Sequence, residues 1–245
     1  MALLGLFAIP LFGGCNRITV WTPDVPDVIE IGAPEPDVVV MVHAIWRWPG
    51  YSMGQLLDEG RRRGYEVVYF RYSGLRDTLD ENAARLAELL NRYDGRRVSL
   101  VVHSYGGVIV RRMFGEHDFS RLQRLVMIGT PNQGAAFADR WFRNPIYKLI
   151  FGHGGDHLTT RGIEGLPQPG CEFGILAGRG SRINPWPRGD NDGVVSVSEA
   201  YLPAAREFRV IESSHEALAQ DPTAVRASFN FLETGTFGLD PRSDP

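Results

Sequence analysis

Residues 98–107 read Val98-Ser99-Leu100-Val101-Val102-His103-Ser104-Tyr105-Gly106-Gly107. The first half is a short apolar, β-branched run, the pattern of a buried strand. The chain then turns through Ser104 into two glycines and a helical segment, Val108 to Phe114. A sharp strand–turn–helix around one serine strains its backbone and lifts its hydroxyl above the sheet edge. Gly106 and Gly107 keep Cβ atoms out of the space where helix and strand cross. Such turns commonly read G-x-S-x-G, and here Val102 stands at the first glycine position. The local pattern therefore also fits an ordinary turn in which Ser104 only caps a helix.

The flanking sequence alternates strand and helix. Val38 to Val42 is a continuous apolar run, read as a fully buried strand ending in His43-Ala44-Ile45-Trp46. Residues 51–63 read as a helix closed by Gly64, and Glu66 to Tyr72 as the next strand. Thr78-Leu79-Asp80-Glu81 has the form of a capping box. The apolar spacing of Leu79, Ala83, Leu86, Ala87 and Leu90 predicts an amphipathic helix over 79–93. Leu122 to Ile128 is a strand ending in Gly129-Thr130-Pro131; Phe173 to Ala177 and Arg206 to Ile211 are two more. Asp221-Pro222 opens the last helix as N-cap and first helical residue. This order predicts an α/β fold: a mostly parallel sheet with helices on both faces, over residues 38–234. Residues 235–245 read as a C-terminal tail.

The alternation breaks over residues 132–170, which are too long for a plain connection and are read as a cap inserted over the sheet. A helix with Phe137, Trp141 and Phe142 is expected there, then an apolar patch at Ile146, Tyr147, Leu149, Ile150 and Phe151. These residues either line a substrate pocket, with Trp141 and Phe142 as the substrate-binding pair, or form a satellite core. His153 and His157 are four apart, but glycines 152, 154 and 155 argue for a loop rather than a metal-binding helix face.

A serine nucleophile needs a base, and the base needs an acid to orient it. His215, in Ser213-Ser214-His215, lies just past the last strand and before the final helix. Asp190-Asn191-Asp192-Gly193 supplies two candidate acids after the preceding strand. The order serine, acid, histidine at successive strand ends is that of one hydrolytic fold. The Tyr105 N–H, directly after the serine, is placed to meet a developing oxyanion. His43 is expected to brace its loop and His103 to point away from the serine.

These pieces resemble the α/β-hydrolase superfamily, in its bacterial lipase and esterase branch. The segments are Val42-His43-Ala44-Ile45, His103-Ser104-Tyr105-Gly106-Gly107, Gly129-Thr130-Pro131, Asn191-Asp192-Gly193-Val194-Val195 and Ser214-His215. Asn-Asp-Gly before a valine pair is similar to the acid loop of such lipases and selects Asp192 over Asp190. His43-Ala44-Ile45 resembles their His-Gly-x loop, which implies Ile45 N–H as the second oxyanion donor, with Ala44 after it. The resemblance implies a cofactor-free hydrolase, cleaving small-molecule or lipid esters through an acyl-enzyme on Ser104. Some relatives bind structural calcium, but no arrangement of carboxylates in this sequence predicts a metal site. The same residues would also serve an acyltransferase, and the fold alone would serve a non-catalytic binding protein.

A net charge of −3, with acids and bases evenly mixed, speaks against a nucleic-acid partner. Met1 to Phe12 is nearly all apolar and of signal-peptide length, and Gly13-Gly14-Cys15 follows. Small residues before a cysteine, after an apolar run, resemble the bacterial lipoprotein cleavage site, which implies a signal over residues 1–15 with Cys15 as the lipidation site; the same run also fits an apolar arm packed on the domain. The signal predicts anchoring at a bacterial cell envelope, or a cytoplasmic protein if the segment is not a signal. Residues 16–37 are rich in proline and acids and read as an extended leader with an edge strand near Arg17 to Trp21.

Overall fold

The computed structural model describes residues 18–21, 36–46, 53–119, 121–180 and 189–239. Met1 to Phe12, Cys15 and most of the leader lie outside the described residues. The described elements are β1 (Ile18–Trp21), β2 (Val38–Val42), α1 (Gly54–Arg62), β3 (Glu66–Phe70), α2 (Leu79–Asn91), β4 (Val98–His103), α3 (Tyr105–Glu116) and β5 (Arg124–Ile128). They continue with α4 (Ala136–Trp141), α5 (Pro145–Asp156), α6 (Thr160–Ile163), β6 (Glu172–Arg179), α7 (Val197–Ala200), β7 (Glu207–Glu212), α8 (His215–Leu218) and α9 (Pro222–Thr234).

The strands form one sheet in the order β1-β3-β2-β4-β5-β6-β7, and all its pairs are parallel. Side chains alternate across a strand, so a strand covered on both faces must be apolar throughout. β2 is such a strand. Val38, Val40 and Val42 enter one core with α2 and α3, while Val39 and Met41 enter the other with α1 and α9. All five are fully buried, each worth about 1.5–3 kcal/mol of transfer free energy.

Strand order reverses between β2 and β4. The loops leaving those two strands therefore diverge at a topological switch point, where open α/β sheets place their ligands. Val42 pairs with Val102, so the 43–46 loop and Ser104 leave the sheet side by side.

Several expectations change in detail. The expected loop at 152–157 is instead the end of α5, kinked at Gly152 (φ 54°, ψ −144°). There a Cβ would collide with the Leu75 backbone. Glycine lets the helix break and resume, so His153 lies within α5 and His157 is its C-cap. The expected tail begins inside the fold: Phe237 is fully buried against Phe231 at 4.9 Å. Its N–H donates to Glu207 Oε2 at 2.6 Å. No helix among the described residues is long and apolar enough to cross a membrane.

Candidate active site

Ser104 is the only non-glycine residue at positive φ among those described (φ 53°, ψ −120°). Holding an L-residue there costs of order 1–3 kcal/mol. The neighbouring strand and the turn itself hold it: Ser104 N–H donates to Ile128 O of β5 at 2.8 Å, and Gly107 N–H to Ser104 O at 3.0 Å. The Ser104 side chain makes no capping hydrogen bond to α3, so the plain helix-cap reading does not describe this turn. Its hydroxyl lies 2.9 Å from His215 Nε2 instead. Gly106 is required for closeness, since a Cβ there would sit 2.6 Å from Val42 O and 2.7 Å from His43 O.

His215 opens α8, just beyond β7, with Ser214 as N-cap. Its Nδ1 lies 2.7 Å from Asp192 Oδ2. Nδ1–H donates to that carboxylate, which leaves Nε2 to accept the Ser104 proton. Asp192 is 1% exposed, and its other oxygen accepts the N–H groups of Val194 at 2.9 Å and Val195 at 2.7 Å. Its main-chain oxygen accepts His215 N–H at 2.9 Å. Burial alone would lower the pKa of His215, but the Asp192 carboxylate more than offsets it and holds the imidazole above its ordinary range. Asp190 is exposed and pairs with Arg179 at 3.4 Å, away from His215's ring.

His103, at the end of β4, packs against His215. Its Nε2 lies 3.1 Å from His215 O, with ring centroids 5.1 Å apart. Burial, then the neighbouring His215, pushes its pKa down to about 3, so His103 is a neutral donor there.

Tyr105 N–H lies in the first turn of α3, where backbone donors have no intrahelical acceptor. Ile45 is 7% exposed on the adjacent loop. That loop is tied to the cap: Trp46 Nε1–H donates to Ile150 O at 2.8 Å, and its ring meets Phe151 at 4.6 Å. Gly154 N–H donates to Gly74 O at 2.8 Å, and Gly74 in turn lies against Ile45.

The apolar residues of the cap divide. Tyr147 stacks on Phe151 at 4.4 Å, Phe137 meets both at an angle at 6.1 Å, and with Phe142 they pack on the main core. Ile146, Leu149 and Ile150 face solvent, and Trp141 is 38% exposed. Sequence reasoning missed what fastens the cap. Arg111, 4% exposed on α3, donates to the carbonyls of Asn132, Leu166 and Pro167 at 2.6–2.9 Å. Both ends of the insertion are thereby pinned to the serine's helix. The only signal was a charge inside the apolar run Val108-Ile109-Val110-Arg111.

A family model described as a domain of unknown function, DUF7379, matches residues 31–150, just under half of the chain. No curated protein matches the sequence. Among solved structures, the mature lipase BlEst2 of Bacillus licheniformis is similar over 86% of this chain and 96% of its own, with TM-score 0.66 and 20% identity. The phospholipase PlaB of Legionella pneumophila is similar over 67% of this chain and 45% of its own, with TM-score 0.53 and 21% identity. The enzyme MGS-MChE2, an alpha/beta hydrolase from a lagoon-sediment metagenome, is similar over 82% and 93%, with TM-score 0.55 and 18% identity. A parallel sheet with its strained serine at the switch point and these likenesses lead to one conclusion: the chain has the α/β-hydrolase fold.

Proposed function

We propose that this chain is a serine hydrolase of carboxylic esters. The observation that carries the reading is the continuous relay Ser104 Oγ–His215 Nε2 at 2.9 Å and His215 Nδ1–Asp192 Oδ2 at 2.7 Å. Ser104 attacks the ester carbonyl while His215 takes its proton, and Asp192 stabilises the imidazolium. The tetrahedral oxyanion is met by the N–H groups of Tyr105 and Ile45. His215 returns the proton to the leaving alcohol, which departs as the carbonyl reforms on Ser104. Water, deprotonated by His215, then releases the acid and restores the serine.

The lipase and phospholipase among its structural neighbours support a small-molecule or lipid ester as substrate. Trp141 and Phe142 are proposed to contact the acyl chain, with exposed Trp141 the more available of the two. Export and lipidation at Cys15 would place the enzyme at the cell envelope. Mass spectrometry of the mature N-terminus tests this: a diacylated Cys15 supports it, and an intact Met1 overturns it.

The activity is tested with p-nitrophenyl esters from acetate to long acyl chains, with and without an added alcohol. Steady release of free acid is the expected result. Efficient transfer to the alcohol with little hydrolysis makes the protein an acyltransferase, and no turnover at all makes it a binding protein.

A further inference from the structure

The loop carrying the proposed second oxyanion donor is held by a phenol from the neighbouring strand. Tyr72 lies just beyond β3. Its hydroxyl is 2.6 Å from His43 O and 2.9 Å from Ala44 O, so one O–H proton is shared between two consecutive carbonyls. The His43 ring stacks on Tyr72 at 4.1 Å with 11° between planes, and Tyr69 lies at 5.6 Å from the same ring. His43 Nδ1 lies 2.5 Å from Ala44 O and donates to it in the Nδ1–H tautomer. Burial pushes the Tyr72 phenol well above the ordinary tyrosine range, which keeps it a neutral donor at any pH where His215 works.

Peptide geometry turns these contacts into a statement about the donors. In a trans peptide, C=O and N–H point in opposite directions across one plane. The His43 carbonyl shares its plane with Ala44 N–H, and the Ala44 carbonyl shares its plane with Ile45 N–H. Drawing both carbonyls to Tyr72 therefore turns both N–H groups away from it. The same loop rests on the turn that carries Ser104 and Tyr105, at Gly106, where no room is left for a Cβ. Alanine at 44, where the resembling lipase loops have glycine, leaves the backbone fewer conformations of its own.

We propose that Tyr72, with His43 stacked on it, is the positioning residue of the oxyanion hole: it fixes the two peptide planes whose N–H groups can face the oxyanion. This rests on the serine-hydrolase reading above.

The test uses Tyr72→Phe and His43→Phe, each titrated to completion with a fluorophosphonate so that turnover is counted per reactive Ser104. Tyr72→Phe should lower kcat about 10- to 100-fold, less than loss of a whole oxyanion donor. KM should stay within about twofold and the pH midpoint should not move, because the His215–Asp192 pair is untouched. The Ki of a boronate that mimics the tetrahedral state should rise by the factor that kcat/KM falls. His43→Phe keeps the stacked ring and loses one donor, so kcat should fall about threefold or more. Para-aminophenylalanine at 72, which restores a donor on the same ring, should recover most of the loss.

Parent turnover per titrated site in Tyr72→Phe, a loss lying wholly in KM, or a shifted pH midpoint would overturn the proposal. If Tyr72→Phe does not fold, an unchanged kcat in His43→Phe overturns it instead. A parent protein with neither adduct nor ester turnover overturns the serine-hydrolase reading itself. An active parent with an equally active Tyr72→Phe overturns only the role of Tyr72.

Discussion

Two loops flank Ser104, and their side-chain bonds run differently. The acid loop, residues 189–196, builds its own cage. Asn191 Oδ1 accepts Gly193 N–H, Asn191 Nδ2 donates to Gly189 O, and Asp192 collects the N–H groups of Val194 and Val195. Apart from the His43 Nδ1–Ala44 O bond, the 43–46 loop borrows its frame, from Tyr72 after β3, from Gly74, and from the cap through Trp46. A carboxylate can be oriented by N–H groups a few residues away. A backbone donor is aimed by its peptide plane, and that plane is set most firmly by groups from elsewhere in the fold.

The largest effects are expected within the acid loop. Asp192→Asn should lower kcat on the order of 10³-fold or more, because the imidazolium loses its carboxylate. Asp190→Asn removes only an exposed pair with Arg179 and should stay within about twofold of the parent. The reverse pattern would move the acid to Asp190. The pH profile sharpens the point. His215 acts as a base only when neutral, so kcat/KM should rise with pH, through a midpoint above the ordinary imidazole value of 6.5. In Asp192→Asn the burial of His215 remains and the carboxylate's charge is gone, so the midpoint should fall below that value. A midpoint that does not move on this change would contradict the coupling of the pair.

The borrowed frame gives smaller effects with a different signature. If Trp141 meets the acyl chain, each buried methylene is worth about 0.8 kcal/mol. Trp141→Ala should then lower the octanoate-to-acetate ratio of kcat/KM about fivefold and leave acetate turnover nearly intact. Phe142 packs on the core, so Phe142→Ala should also cost about 2 kcal/mol of stability, measured by denaturant unfolding. An unmoved chain-length profile in both folded variants would remove the cap from substrate choice. Trp46→Phe deletes the indole donor to Ile150 O and should lower kcat about threefold at unchanged KM. A change in KM alone would mean that this contact with the cap bears on substrate binding and not on the aim of the 43–46 loop.

The same contrast explains what the sequence made legible. Elements with strong local patterns were readable: the five buried residues of β2, the Thr78–Glu81 capping box, and the Asp221-Pro222 start of α9. So were the serine turn, through its strand-to-glycine pattern, and the Asn-Asp-Gly loop, whose side chains bond to neighbours in the chain. Short helices α6, α7 and α8 have four residues each, too few to display a period. The kink at Gly152 reads as a loop in sequence because the packing on Leu75 that carries the helix past it is remote. Arg111 and Tyr72 were hidden for the same reason: their acceptors are carbonyls far along the chain, and a carbonyl has no residue identity to read.

The proposed role of Ser104 as the nucleophile, activated by His215, is checked by labelling the folded protein with a fluorophosphonate, followed by peptide mass spectrometry and residual esterase assay. The expected result is one adduct, on Ser104, with activity lost in proportion to labelling and no uptake by Ser104→Ala. An adduct on another serine, or ester turnover that survives complete labelling of Ser104, would contradict it.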